Sequence, residues 1–164
     1  MSETTQPARP LQAKVLTVSD GVIHGTRDDV SGRALVAQLA GARFEVVEHR
    51  VTADGAEAVA QVLREMSEGF AGVIVSTGGT GFAPRDQTPE GTRLVIEREA
   101  PGLAEAMRLV SPLGRLSRGI AGIRGNTIVC NTPGSPKGCV EQLGAILDVL
   151  PHAVRLLNAE PTSH

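Results

Sequence analysis

At 164 residues the chain has the length of one domain, and with 41% hydrophobic and 21% charged residues it is too apolar for general disorder. Aromatic residues make up only 2%, Trp and Tyr are absent, and the formal net charge is -2. That composition lacks the stacking platforms of single-strand binders and the basic surface of duplex binders, so no nucleic-acid partner is expected.

Met1 to Pro10, "MSETTQPARP", is polar and aperiodic and reads as a loose tail. "LQAKVLTVSD" is a buried strand ending at Ser19 and Asp20, followed by the polar loop "GVIHGTRDD". "VSGRALVAQLAGA" carries Leu35, Val36, Leu39 and Ala40 at helical spacing, with Gly41 placed to close the helix. "RFEVVEHRV" is a second strand. In "ADGAEAVAQVLREMSEG", Val59, Val62, Leu63 and Met66 line one helical face. "FAGVIVSTG" is nearly continuous in apolar residues, as a strand buried on both faces should be.

A glycine-rich loop follows, and Thr88, Pro89 and Glu90 read as N-cap, first-turn proline and first-turn acid of a helix through "GTRLVIERE". Pro101 starts another helix, "PGLAEAMRLVSP", while "RLSRGIAGIRG" suits either strand or loop. "NTIVCNTPG" is a strand, after which Ser135 and Pro136 begin one long helix to Leu157, leaving 158–164 as a second tail. Alternating strands and helices of these lengths predict an α/β fold: three layers, a mainly parallel sheet with helices on both faces, in one domain over 11–157. No apolar run approaches the ~20 residues that span a bilayer, so no membrane partner is expected. Cys130 and Cys139 lack the spacing of a zinc site or disulfide framework, and read as buried thiols in a reducing, cytoplasmic compartment.

In such folds ligands sit at the carboxyl ends of strands. Those ends carry Ser19 and Asp20, Thr52 to Asp54, Thr77 to Asp86, and Asn131 to Pro136. Gly78, Gly79 and Gly81 allow positive φ and close approach, so successive N–H groups can point into one concavity that suits phosphate. Arg85 would add charge there. An acid such as Asp86 cannot bind phosphate directly and suggests Mg²⁺ between them, with Asp54 and Asp20 as further candidate ligands.

Structural readings stand beside these. Asp54 with Glu57 makes a capping box, Asp20-Gly21 a turn, and Asp86 a turn acid. Ser135, Pro136 and Lys137 suit a second anion site or simple capping, and Ser117 and Arg118 suit an oxyanion or the surface. The four histidines, His24, His49, His152 and His164, have no ligand or triad spacing. Paired anion sites, a metal and no evident covalent nucleophile fit phosphoryl or nucleotidyl transfer by positioning.

The segments "VLTVSDG", "DVSG", "TGGTGFAPRDQTPEGT", "APGLAEAMR" and "LSRGIAGIRGNTIVCNTPGSPKG", in that order, resemble the molybdopterin adenylyltransferase family, the Mog proteins and the G domains of gephyrin. The resemblance implies Mg²⁺-dependent attack of the terminal phosphate of molybdopterin on the α-phosphate of ATP, yielding adenylyl-molybdopterin and pyrophosphate. Carried onto this sequence, it makes Asp54 and Asp86 the acids of catalysis and of Mg²⁺ binding. Ser19, Asp20, Thr77, Gly78, Gly79, Thr80, Gly81, Arg85, Ser117, Arg118, Pro133, Gly134, Ser135 and Lys137 become the substrate-binding set. It also implies a homo-oligomer, a trimer or the hexamer of MoaB relatives, with contacts to other cofactor-biosynthesis proteins. Two departures are Gly21, where many relatives carry arginine, and Gly91 in place of alanine. A noncatalytic pterin-binding protein of the MoaB branch and a nucleotide pyrophosphohydrolase of the CinA type are the alternatives.

Overall fold

Residues 10–159 are described by a computed structural model. Three parallel pairings form the frame: β1 (Gln12–Val18) lies between β2 (Glu45–Thr52) and β3 (Gly72–Thr77), and β3 pairs with β6 (Thr127–Thr132). Two antiparallel strands, β5 (Ala121–Arg124) and β4 (Arg98–Glu99), complete the order β2-β1-β3-β6-β5-β4. The helices are α1 (Asp20–Ile23), α2 (Val30–Gly41), α3 (Ala56–Ser67), α4 (Thr88–Arg93), α5 (Pro101–Arg108), α6 (Pro136–Gly144) and α7 (Leu150–Leu157), with a 3-10 turn at Pro112–Leu116.

Strand alternation splits the core in two. Val15, Val73, Val75 and Cys130 point to the face covered by α2, α5, α6 and α7, through Leu35, Leu39, Met107, Cys139, Leu143 and Leu150. Leu16, Ile74 and Val129 point to the other face, where α3 packs Val59, Ala60, Leu63 and Met66. The three-layer, mainly parallel architecture is the one expected, and the central strands are buried throughout. No helix among the described residues is long and apolar enough to cross a membrane.

Several local expectations are corrected. The single final helix is two, because Pro151 lacks an N–H and its ring would strike the carbonyl one turn earlier, so the chain turns after Gly144 and α7 restarts at Leu150. The helix expected from Thr88 through Glu99 stops at Arg93. Glu97 N–H instead donates to Ile123 O at 2.7 Å and Arg98–Glu99 pair with β5, so sheet pairing overrides the local pattern. The next helix ends at Arg108, and extended Ser111 precedes the 3-10 turn at Pro112.

Gly41 does not close α2; it is the last helical residue. Arg43 takes the left-handed position at φ 67, and Phe44 N–H reaches back to Leu39 O at 3.0 Å. This is a Schellman closure, sealed by burial of Phe44 with Leu39. The polar loop after β1 contains α1, capped by Ser19. The tails expected at 1–10 and 158–164 lie, apart from Pro10 and residues 158–159, outside the described residues.

Candidate functional site

The carboxyl ends of β1, β3 and β6 open into one cleft of about 1040 Å³. Its floor is the turn after β3. Gly78 and Gly79 adopt φ 100 and 70, and a Cβ on Gly78 would stand 2.2 Å from the carbonyl oxygen of Val18, which only glycine tolerates. Thr88 is the first residue of α4 rather than its cap: its Oγ1 donates to Gly78 O at 2.9 Å and its N–H to Gly79 O at 3.0 Å. The helix start is therefore pinned to the glycine turn.

An acid stands beside each of two glycines of this loop. A Cβ on Gly79 would lie 3.3 Å from Asp54 Oδ1, and one on Gly81 would lie 2.9 Å from Asp86 Oδ2. Asp54 does not cap α3, whose N-cap is Gly55 without a side-chain bond. Instead Asp54 Oδ2 accepts from Asp20 N–H at 3.0 Å and Asp20 Oδ1 accepts from Asp54 N–H at 3.1 Å. The tertiary pair outcompetes the local capping box. Asp86 Oδ2 accepts from Ala83 N–H at 3.1 Å.

The far wall is the "PGSPK" segment after β6. Thr77 Oγ1 donates to Pro133 O at 2.7 Å and Ser31 Oγ to Gly134 O at 2.6 Å. Ser135 caps α6 by accepting from Gly138 N–H at 3.0 Å, and Lys137, 88% exposed, stands 3.9 Å from Glu141. Ser117 Oγ accepts from Gly119 N–H at 3.2 Å.

The structure brings Ser19, Asp54, Thr77, Gly78, Gly79, Thr80, Gly81, Asp86, Ser117, Pro133, Gly134, Ser135 and Lys137 to the cleft wall, and leaves Asp20, Arg85 and Arg118 outside it. Arg85 donates to both carboxylate oxygens of Asp20, at 2.7 and 3.0 Å, and this guanidinium holds the Asp20 carboxyl below its ordinary 3.8. Arg118 grips Glu90 through Nη1 at 2.8 and 3.0 Å and the carbonyl of Gly81 through Nε at 2.9 Å, and its Nη2 donates to Asp86 O at 2.5 Å.

Other residues at or beside the cleft carried no local signal. Thr17 Oγ1 donates to Asp29 Oδ2 at 2.9 Å, and His49 Nε2 lies 3.0 Å from both of those oxygens. The segment around the 3-10 turn brings Val110, Leu113 and Leu116 to the rim, each well exposed.

The donor set fits Mg²⁺ bound through a substrate. Among the described residues no group of three or more His, Cys, Asp or Glu gathers as a self-sufficient metal site. Two carboxylates beside an anion-accepting turn match the usual mode for Mg²⁺, which takes its remaining ligands from phosphates and water. Among the described residues, Arg27 and Lys137 are the cationic side chains lining the cleft.

Comparison with known proteins places the chain among relatives of one family. The family described as "Probable molybdopterin binding domain" matches residues 14–152. "Molybdopterin adenylyltransferase" from Helicobacter pylori (strain J99) is 36% identical over 150 residues, covering 87% of this chain and 85% of that protein. "Gephyrin" from Dictyostelium discoideum is 37% identical over 163 residues, 91% of this chain, but the chain spans only 23% of gephyrin's length. The crystal structure of the molybdopterin biosynthesis enzyme MoaB from Thermus thermophilus superposes with a TM-score of 0.86 at 46% identity, covering 93% of this chain and 99% of that one. The matched span and these identities show that the chain belongs to the molybdopterin-binding domain family of the Mog and MoaB proteins.

Proposed function

We propose that this protein is a molybdopterin adenylyltransferase acting in molybdenum cofactor biosynthesis. The observation that carries the reading is the placing of Asp54 beside Gly79 and of Asp86 beside Gly81, in the loop opened by the positive-φ turn Gly78-Gly79. In the transfer, an oxygen of the terminal phosphate of molybdopterin bonds to the α-phosphorus of ATP. The bond from that phosphorus to the bridging oxygen breaks and pyrophosphate leaves.

Asp54 and Asp86 would hold Mg²⁺, which when bound offsets the charge of the triphosphate. The Gly78 N–H is committed to Thr132 O at 3.1 Å, so the amides of Gly79 to Gly81 receive phosphate oxygens, and Ser117, Ser135 and the start of α6 hold the pterin and its phosphate. Lys137, anchored only by a 3.9 Å contact, is available to a substrate anion. Catalysis of this kind rests on positioning and charge, with no covalent nucleophile required.

The test is pyrophosphate release from Mg·ATP with and without molybdopterin, for the wild type and Asp86→Ala. Release should need both molybdopterin and Asp86, with the variant slower by at least about 10²-fold. Its fold should persist, since the carboxylate gives one backbone hydrogen bond worth about 1 kcal/mol. Wild-type turnover by Asp86→Ala would refute the assignment, and pterin binding without release by the wild type would make the protein a noncatalytic binder.

A further inference from the structure

Two residues outside the cleft wall, Asp20 and Arg85, are hydrogen-bonded to Asp54, and Arg85 adjoins Asp86 in the chain. Asp54 is held at three points: its carboxylate accepts from Asp20 N–H at 3.0 Å, its N–H donates to Asp20 at 3.1 Å, and its carbonyl accepts from Arg85 Nη2 at 3.0 Å. Asp20 is itself fixed, as the first residue of α1 behind the Ser19 cap. Arg85 clasps Asp20 with both prongs of its guanidinium, a geometry that specifies orientation as well as attraction.

Arg85 is also the residue before Asp86. The turn carrying Asp86 closes on itself, through Asp86 N–H to Ala83 O at 2.9 Å and Ala83 N–H to Asp86 Oδ2 at 3.1 Å. It is tied outward by Arg118 on one side and by Arg85 on the other. Its remaining residues, Phe82, Ala83 and Pro84, are exposed and supply no packing that would place Asp86.

We infer that the Arg85–Asp20 pair is a strap that sets the separation of Asp54 and Asp86, making both members positioning residues for the proposed adenylyl transfer, on which this role rests. It is not built for stability. Arg85 is 65% exposed, and an exposed pair adds at most about 1 kcal/mol. Nor is Arg85 poised as a phosphate ligand, because engaging an anion would mean leaving both oxygens of Asp20. Misplacement of reacting groups by about 1 Å can cost 10²-fold in rate, so a strap of little thermodynamic weight can carry a large kinetic one.

The test compares Arg85→Ala, Arg85→Lys and Asp20→Asn with Arg93→Ala, which breaks another exposed ion pair, with Glu99, away from the cleft. In Arg85→Ala, kcat for pyrophosphate release should fall by about 10- to 100-fold while KM for ATP and molybdopterin stays within about twofold. The melting temperature should move by no more than about 4 °C. Arg85→Lys should recover part of kcat, and Arg93→Ala should match the wild type.

Amide hydrogen exchange read by NMR gives a measure independent of turnover: the Asp20 and Asp54 N–H groups should exchange up to about fivefold faster in Arg85→Ala. Unchanged kcat and unchanged exchange, or a rise in KM alone, overturn the strap. If the wild type releases no pyrophosphate, the adenylyl-transfer reading fails, and the strap as a geometric device stands or falls on the exchange result.

Discussion

Gly78→Ala probes the turn on which the cleft is built. The residue sits at φ 100, and the new Cβ would be placed 2.2 Å from the backbone oxygen of Val18, an atom in the central strand β1 that cannot rotate away. Left-handed backbone costs a non-glycine residue about 1–2 kcal/mol, and forcing an extra carbon into a packed region adds about 1–3 kcal/mol. A loss near 3 kcal/mol lowers the melting temperature by roughly 6–12 °C for a chain of this size. Thermal and urea unfolding followed by circular dichroism would measure it, with pyrophosphate release alongside. Gly102→Ala is the matched control: this α5 glycine has nothing within 4 Å of its would-be Cβ and should gain about 0.5–1 kcal/mol. Gly78→Ala within about 1 kcal/mol of wild type, and as active, would show that the turn does not need glycine and refute the reasoning.

Two further predictions concern the interior. Burial pushes the Cys130 thiol up to about 12 from its ordinary 9.0, and also raises that of Cys139, so at pH 8 Cys130 should resist a disulfide reagent in the native state and react only in denaturant. Because the folded thiol holds its proton more tightly, its contribution is fully present below pH 9.0 and is lost as pH rises towards about 12, and Cys130→Ala should flatten stability over that window. Rapid labelling of native Cys130 would contradict this. Thr92→Val removes an acceptor from buried Asn131, whose Nδ2 donates to Thr92 Oγ1 and Ser76 Oγ at 3.0 Å each. The unfolding free energy should drop by about 1–3 kcal/mol, and an unchanged value would mean that the Asn131 amide finds another partner.

Much of the frame was legible because it is written in local pattern. The continuous apolar runs at Val73–Val75 and Ile128–Cys130 specify strands buried on both faces, and α2 and α3 follow from 3.6-residue spacing. β4 and β5 were not legible in this way, since Arg98–Glu99 are exposed and become strand only by meeting Ile123 and Gly122. The split of the last helix was marked by Pro151, whose effect a helical pattern on both sides concealed.

The candidate site divides along the same line. A glycine-rich segment between an apolar strand and a helix start is a local signal, and so were Asp86 beside it and the capping Ser135, because turn conformation and caps depend on residues close in the chain. What Asp54 and Arg85 bind was decided by residues far away. Asp54 gave up the local box with Glu57 for Asp20, 34 residues back, and Arg85 was drawn from the anion role to Asp20, 65 residues back. Thr17, Asp29 and His49 meet only because β1 and β2 run parallel with α2 between them in sequence. The sequence by itself determined where the chain turns and which faces are apolar, since those follow from backbone freedom and periodicity. Only the tertiary structure decided how the charges pair, because an ion pair forms with whichever partner the packed sheet brings within reach.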